Sequence, residues 1–357
     1  MRQYYTSSSL SFDILRKSVY VKGKTAMNRK VKIVGVGKYL PPKVVTAEEL
    51  DQMLQTQPGW TLKKSGVKER HYVNGETASQ MAANAALEAI NDAGLSLSDV
   101  DCIISGSGTM EQPIPCNAAL IQRALNLSDS GVPCFDVNTT CLSFVQALDI
   151  ASLYLEMGIY RTILIVSSEI ASIGLNWQQK ESCVLFGDGA AAVVVQKTPE
   201  NEGSTVYPMK METYSDGASF TEIRGGGTTI HPREHREETK QEFLFHMNGP
   251  AVFRMSSKRL PEFVGKIFAE ANISMTDLQA VIPHQASGMA MRLMKRKLHI
   301  PDEIFIDVIE NYGNMIAASI PIALYEAIRS QRIKRGDKVL LIGTSAGLSL
   351  GGIILEY

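Results

Sequence analysis

Three side chains combine a reactive type with a place where a strand gives way to a helix: Cys141, His284 and Asn314. Cys141 follows Asp136-Val137-Asn138-Thr139-Thr140 and opens the apolar-periodic run Leu142, Val145, Leu148, Leu153, which puts it near a helix N-terminus. The helix dipole there favours a thiolate, the nucleophilic form of cysteine. A cysteine among small and apolar residues also fits a plain buried hydrophobe. His284 comes directly after strand-like Ala280-Val281-Ile282-Pro283 and before a helical pattern over Ala290 to Leu298. Ligands of α/β sheets lie beyond the carboxyl ends of strands, so this is an active-site position, although a structural histidine fits it too. Asn314, in Asn311-Tyr312-Gly313-Asn314, is expected between a strand and the small-residue helix Ala317-Ala318-Ser319-Ile320. An Asn after Gly suits a turn or cap, yet this one falls in the second half of the chain roughly where Cys141 falls in the first. Gly343-Thr344-Ser345-Ala346-Gly347 follows the last long strand. Its backbone N–H groups, with that of Cys141, can polarise a thioester carbonyl as an oxyanion hole.

The other candidates are weaker. Cys102 lies in an apolar strand, Cys134 precedes one, and Cys116 and Cys183 lack partners, so all four read as core residues. The odd total of five cysteines, with no CxxC pair, argues against a disulfide framework and against a zinc site, and fits a reducing cytoplasm. Gly187-Asp188-Gly189-Ala190 reads as a tight turn into a strand, and Gly225-Gly226-Gly227 lacks the strand and helix of a phosphate loop, so no nucleotide cofactor is implied. Lys plus Arg number 36 against 37 Asp plus Glu, a net charge of −1 with no long basic run, which disfavours nucleic acid. No apolar stretch reaches the ~18 residues of a membrane span. Arg233-Glu234-His235-Arg236-Glu237-Glu238 reads as a solvated face.

The elements that must position these residues are written twice. Ala93 to Ile104, through Leu95-Ser96-Leu97-Ser98-Asp99, is echoed by Ala271 to Ile282, through Ile273-Ser274-Met275-Thr276-Asp277. Phe135-Asp136-Val137 opens a helical segment ending at the strand Thr162-Ile163-Leu164-Ile165-Val166, and Ile306-Asp307-Val308 opens one ending at Val339-Leu340-Leu341-Ile342. Short β-branched runs alternate with amphipathic helices such as Ala82, Ala85, Ala86, Ala89, Ile90, which predicts an α/β protein. Near-continuous apolar strands predict sheets covered on both faces. Two similar α/β halves, residues 28–200 and 201–357, then pack as a layered sandwich whose equivalent loops meet. Residues 1–27, Ser-rich and basic with Asp13 as the sole acid, read as an appendage: a disordered tail, or a start upstream of an initiator at Met27, rather than a transit peptide.

At Asn138-Thr139-Thr140-Cys141, Leu185-Phe186-Gly187-Asp188-Gly189-Ala190, Pro283-His284-Gln285-Ala286 and Tyr312-Gly313-Asn314, the chain resembles the β-ketoacyl-acyl-carrier-protein synthase III family of thiolase-like condensing enzymes. The likeness runs from about Val31 to Tyr357. It implies a thiolase-like α-β-α-β-α sandwich, a Cys141, His284, Asn314 triad, and an oxyanion hole of the Cys141 and Ala346 N–H groups. It implies decarboxylative Claisen condensation of an acyl-CoA with malonyl-acyl carrier protein through an acyl-Cys141 intermediate, starting fatty-acid chains in the cytoplasm with no cofactor beyond the coenzyme A thioester substrate. Trp60 matches the tryptophan that stacks on the adenine of coenzyme A, while Lys64 and Lys180 stand where bacterial members tend to carry arginine, replacing forked contacts by point charges. Ile114 matches the residue that a partner subunit contributes to the acyl pocket, which implies a homodimer.

Two departures bear on substrate choice: Leu142-Ser143 follow the nucleophile in place of Ala-Gly or Ser-Gly, and Thr344-Ser345-Ala346-Gly347 replaces Phe-Gly-Gly-Gly. They keep open a related condensing or acyl-transferring enzyme of specialised metabolism acting on long or unusual acyl thioesters. A cysteine hydrolase or a non-catalytic partner subunit are the rivals of another class.

Overall fold

The computed structural model describes Met27–Tyr357, so the expected appendage, apart from Met27, lies outside the described residues. The first part of the chain supplies β1 (Val31–Tyr39), β2 (Lys43–Thr46), β3 (Glu69–Tyr72), β4 (Cys102–Ser105), β5 (Cys134–Asp136), β6 (Thr162–Glu169) and β7 (Gly189–Lys197). The second supplies β8 (Thr205–Val206), β9 (Lys210–Thr213), β10 (Thr221–Glu222), β11 (His246–Met247), β12 (Ala280–Pro283), β13 (Lys338–Ser345) and β14 (Ser349–Glu356). Among the described residues these form two large sheets and two small ribbons, β2 with β3 and β10 with β11.

The two large sheets repeat one plan. In the first, ordered β1-β7-β6-β4-β5, the β1, β7 and β6 neighbours are antiparallel, while β6, β4 and β5 are parallel. In the second, β8 and β9 share the edge of β14, β14 runs antiparallel to β13, and β13 runs parallel to β12. The place of β5 is reduced there to a single parallel bridge between Val281 and Phe305. Even the local turns repeat: Ser96 and Asp99 close a box before β4, and Ser274 and Asp277 close the same box before β12.

Strand alternation explains the layers. Ile163, Ile165, Val193 and Val195 turn inward to a central core, while Leu164, Val166, Ala192 and Val194 turn outward under the helices Ala78–Asp92 and Asn117–Ala124. In the second sheet Val339 and Leu341 face the same central core, and Leu340 and Ile342 face outward against Gly249–Ala271 and Gly288–Leu298. The helices Ser143–Glu156 and Ser319–Arg329 fill the space between the sheets. The result is the α-β-α-β-α sandwich of the thiolase-like fold. Covering on both faces is why β6 is buried along its whole length and apolar from Ile163 to Val166.

Candidate functional site

Each half ends one central strand opposite a tight turn of the other half. Cys141 sits on the 3₁₀ turn Thr140–Leu142 that feeds the helix Ser143–Glu156. Thr140 is left-handed at φ 51°, a costly conformation for a β-branched residue. The turn is pinned from several sides. The Thr140 N–H donates to Asn138 Oδ1 at 3.0 Å, the Thr139 N–H to Ser143 Oγ at 2.9 Å, and the Ser143 hydroxyl to the Thr140 carbonyl at 2.7 Å. The Cys141 N–H donates across to Ser345 Oγ, at the end of β13, at 3.1 Å, and the Ser345 hydroxyl donates to the Thr139 carbonyl at 2.7 Å.

His284 leaves the end of β12 and is buried. Its N–H donates to the Ile342 carbonyl at 2.7 Å, and the buried Gln285 side chain fixes the loop by donating to the Pro283 carbonyl at 2.8 Å and accepting from the Val308 N–H at 3.0 Å. Gly343 is the seat shared by histidine and nucleophile turn: a Cβ there would stand 2.7 Å from His284 Cβ and 3.3 Å from Leu142 Cδ2.

Asn314 was expected after a strand; it follows instead the short helix Ile309–Tyr312 and Gly313, whose φ of 69° suits glycine. Its N–H donates to the Leu185 carbonyl at 2.8 Å, and its carbonyl accepts from the Gly187 N–H at 3.1 Å. A side chain at Gly187 would collide with the Tyr312 carbonyl, which explains the glycine in the Leu185–Ala190 motif. Asn314 Nδ2 donates to the Ala286 carbonyl at 3.3 Å, joining it to the His284 loop. Asn314 Oδ1 accepts from the Ile316 N–H at 2.9 Å, and Ile316 is left-handed at φ 46°. By these bonds Asn314 corresponds to Asn138 and Ala317 to Cys141. The sequence expectation that Asn314 occupies the counterpart of the cysteine is therefore off by three positions.

The electrostatics reverse one expectation. The Cys141 thiol is pushed up to about 12, chiefly by burial and then by the negative charge of Glu169, against hydrogen bonds from Ser345 and the Ala346 N–H. The thiol, not the thiolate, is the resting form. Cys141 lies in the 3₁₀ turn ahead of the α-helix, and the helix dipole expected to favour the anion does not outweigh burial. Burial pushes His284 down to about 4, so its ring is neutral, and its Nδ1 is buried without a hydrogen-bond partner among the described residues.

Sequence reading quoted Asn138, Gln285 and Ser345 within motifs without a role of their own, and passed over Glu169. Glu169 ends β6 as Ser345 ends β13, both strands spanning eight residues. Its buried carboxylate accepts from the Gly108 and Thr109 N–H groups at 2.5 and 2.9 Å and from the Thr109 hydroxyl, and the Ala317 N–H also points to it. Burial holds it up at about 7 despite these donors. The repeat offered a signal for Asn138, since both turns read Asn, then Ser five residues on, at Asn138 and Ser143 and at Asn314 and Ser319.

The remaining candidates lie apart from this cluster of contacts. Trp60 opens the helix Trp60–Ser65, with the Lys64 amine 6.0 Å from its ring centroid. Lys64 pairs with Glu181 at 2.6 Å, and Lys180 donates to the Leu54 carbonyl at 2.7 Å, so both amines are engaged within the chain. The Lys64–Glu181 pair brings Trp60, Lys64 and the helix carrying Lys180 onto one surface. Ile114 is 82% exposed. Among the described residues there is no cluster of His, Cys, Asp and Glu arranged to hold a metal.

The model of 3-oxoacyl-[acyl-carrier-protein] synthase III matches residues 135–217, and that of the C-terminal part of the same enzyme matches residues 268–357. The β-ketoacyl-[acyl-carrier-protein] synthase III of Clostridium perfringens is 33% identical over 329 residues, covering 92% of this chain and 99% of that protein. That of Aquifex aeolicus is 34% identical over 326 residues, covering 91% and 99%. The crystal structure of the Aquifex aeolicus VF5 enzyme superposes with a TM-score of 0.82 at 33% identity, covering 92% of this chain and 100% of that one. Its sequence over nearly its whole described length, and its duplicated fold, agree: the chain belongs to the β-ketoacyl-acyl-carrier-protein synthase III family.

Proposed function

We propose that this protein catalyses Claisen condensation of an acyl-CoA primer with malonyl-acyl carrier protein, giving a 3-oxoacyl product in the initiation of fatty-acid synthesis. The observation that carries the assignment of residues is the convergence of Cys141, His284 and Asn314 through shared contacts: Gly343 between His284 and the cysteine turn, and Asn314 on the His284 loop.

The chemistry runs in two stages. As the Cys141 sulfur attacks the thioester carbonyl, its proton passes to His284, and the oxyanion is held by the Cys141 and Ala346 N–H groups. Collapse breaks the bond to the coenzyme A sulfur, which takes the proton from His284 and leaves. Malonyl-acyl carrier protein then loses CO2, and the enolate oxygen left behind accepts hydrogen bonds from His284 and Asn314. The carbanion attacks the acyl-Cys141 carbonyl, the 3-oxoacyl product departs on the carrier protein, and the freed Cys141 thiolate takes a proton from solvent. The neutral state of His284 suits this stage, since an imidazolium beside the carbanion would protonate it.

The acceptor surface of Trp60, Lys64 and Lys180 receives coenzyme A. The protein acts in the cytoplasm as a homodimer of chains built from halves 28–200 and 201–357, and the exposed Ile114 enters the acyl pocket of its partner. Among the described residues no helix is long and apolar enough to cross a membrane.

The test is intact mass after mixing with acyl-CoAs of roughly two to sixteen carbons, the range that distinguishes short primers from long ones by pocket depth. The expected result is an acyl adduct absent in Cys141→Ala and discharged as a 3-oxoacyl product by malonyl-acyl carrier protein. An adduct released as free acid, with no requirement for the malonyl donor, would indicate a hydrolase; no Cys141-dependent adduct would overturn the covalent mechanism.

A further inference from the structure

Cys141 and Ala317 occupy equivalent turns, and each N–H points at the last side chain of the central strand of the opposite half. For Ala317 the acceptor is Glu169; for Cys141 it is Ser345. The Ser345 hydroxyl proton lies toward the Thr139 carbonyl at 2.7 Å, with the Cys141 sulfur also within its reach, so its oxygen offers a lone pair to the Cys141 N–H at 3.1 Å. That separation lies within the range, about 2.7–3.1 Å, at which an oxyanion-hole donor meets a developing oxyanion. A hydroxyl oxygen therefore stands where an acyl oxygen must come. Both are acceptors, and one N–H makes one strong bond.

We propose that Ser345 is a latch on the oxyanion hole: a positioning residue whose hydroxyl holds the Cys141 N–H at rest and must yield it to the acyl oxygen before the nucleophile can be loaded. The proposal rests on the reading above that the Cys141 N–H is an oxyanion donor. At rest the latch satisfies a partly buried donor and ties the nucleophile turn to β13 through two bonds. On loading it yields one of them, worth about 0.5–1.5 kcal/mol net. Removing the hydroxyl leaves the N–H unpaired in the free enzyme but paired in the transition state, so the barrier to loading falls. Ser345 is 5% exposed, and alanine keeps its backbone and Cβ while deleting the hydroxyl, and with it the latch, the bond to the Thr139 carbonyl and the contact with the Cys141 sulfur.

The experiment measures single-turnover acylation of Cys141 by acetyl-CoA and, separately, by p-nitrophenyl acetate, alongside alkylation by iodoacetamide, which builds no oxyanion. Ser345→Ala is expected to accelerate acylation by both donors about 2- to 10-fold, the rate equivalent of one such hydrogen bond. Alkylation, which loses only the Ser345 bond to the sulfur, does not accelerate, and Ser345→Thr, which restores the hydroxyl, returns acylation to the wild-type rate. Ser345→Gly serves as a second hydroxyl-free variant should the alanine variant fold poorly. Acylation that fails to rise relative to alkylation in the hydroxyl-free variants overturns the latch. Acceleration with p-nitrophenyl acetate, where no acyl-CoA loads even the wild type, supports the latch and overturns the acyl-CoA reading instead.

Discussion

The side-chain oxygens of Asn138 and Asn314 make the same bond in the two halves: each accepts the N–H two residues ahead, from Thr140 at 3.0 Å and from Ile316 at 2.9 Å. In both cases the bond holds a left-handed residue, φ 51° at Thr140 and 46° at Ile316. One ancestral turn thus serves two ends. In the first half it presents a thiol, and in the second its own asparagine, through Nδ2, turns toward the histidine loop.

The two asparagines should therefore separate the half-reactions. Asn138→Ala loosens the nucleophile turn, and a loss comparable to a cap residue, ~1 kcal/mol, slows acyl loading several-fold. Asn314→Ala leaves loading near the wild-type rate but removes a donor to the enolate, which costs about 100-fold or more in condensation. Rapid-quench mass analysis of acyl-Cys141, with and without malonyl-acyl carrier protein, reads both steps. Slower loading in Asn314→Ala with normal discharge would contradict the division.

Gly343 and Gly351 give a matched pair of packing probes. A Cβ at Gly343 would press on both His284 and Leu142, whereas the three atoms nearest to one at Gly351 all belong to Leu142, its Cδ1 at 2.8 Å. Both alanine variants are expected to lose about 1–3 kcal/mol by overpacking, seen as lowered melting temperatures. Decarboxylation of malonyl-acyl carrier protein, which the proposed mechanism assigns to His284 and Asn314, should collapse in Gly343→Ala and survive in Gly351→Ala. Equal decarboxylation in the two would mean that Gly343 does not set the histidine.

How much of this was legible follows from where each signal lies. Duplication shows in continuous stretches, as at Ser96 and Asp99 against Ser274 and Asp277, so the layered α/β plan could be read. The phase of the repeat around the site was harder. Reading Asn314 against Cys141 compares reactive types, but the backbone bonds align it with Asn138. Ser345 was quoted in the oxyanion loop without this role because its partner Cys141 lies 204 residues away, and Glu169 was missed because its donors lie 61 and 60 residues back, at Gly108 and Thr109, and in the opposite half, at Ala317. The resting charge of Cys141 was misjudged for a related reason. A helix start is local in sequence, whereas burial and the approach of Glu169 are tertiary.

Two buried titratable groups near the site, His284 and Glu169, predict opposed pH slopes. His284 titrates near 4 in the fold against an ordinary 6.5, so as pH falls from 6.5 to 4 the unfolded chain takes a proton the native state refuses, and stability drops. Glu169 titrates near 7 against an ordinary 4.5, so its protonated form contributes fully below 4.5 and that contribution is lost as pH rises through 7. Each slope reaches at most about 1.4 kcal/mol per pH unit, and in wild type they oppose one another between 4.5 and 6.5. Relative to wild type, His284→Gln should lose stability more steeply as pH rises through that window, and Glu169→Gln should gain it more steeply. Denaturant midpoints across the window check this, and slopes identical to wild type in both variants would refute it.

Glu181 stands between the proposed coenzyme A surface and its ligand. Its carboxylate holds Lys64 at 2.6 Å, with both side chains largely in solvent. An exposed pair of this kind is worth about 0–1 kcal/mol and is screened by salt. Coenzyme A phosphates must draw Lys64 away from it, against the repulsion of the same carboxylate. Glu181→Gln is therefore expected to lower KM for acyl-CoA about 2- to 5-fold at low ionic strength, with kcat unchanged because the pair lies outside the Cys141, His284 and Asn314 contacts. The gain should shrink as salt rises, since the Debye length falls to about 3 Å at 1 M. A KM that is unchanged or higher at low salt would remove Lys64 from the coenzyme A surface, leaving its approach to the Trp60 ring as its contact there.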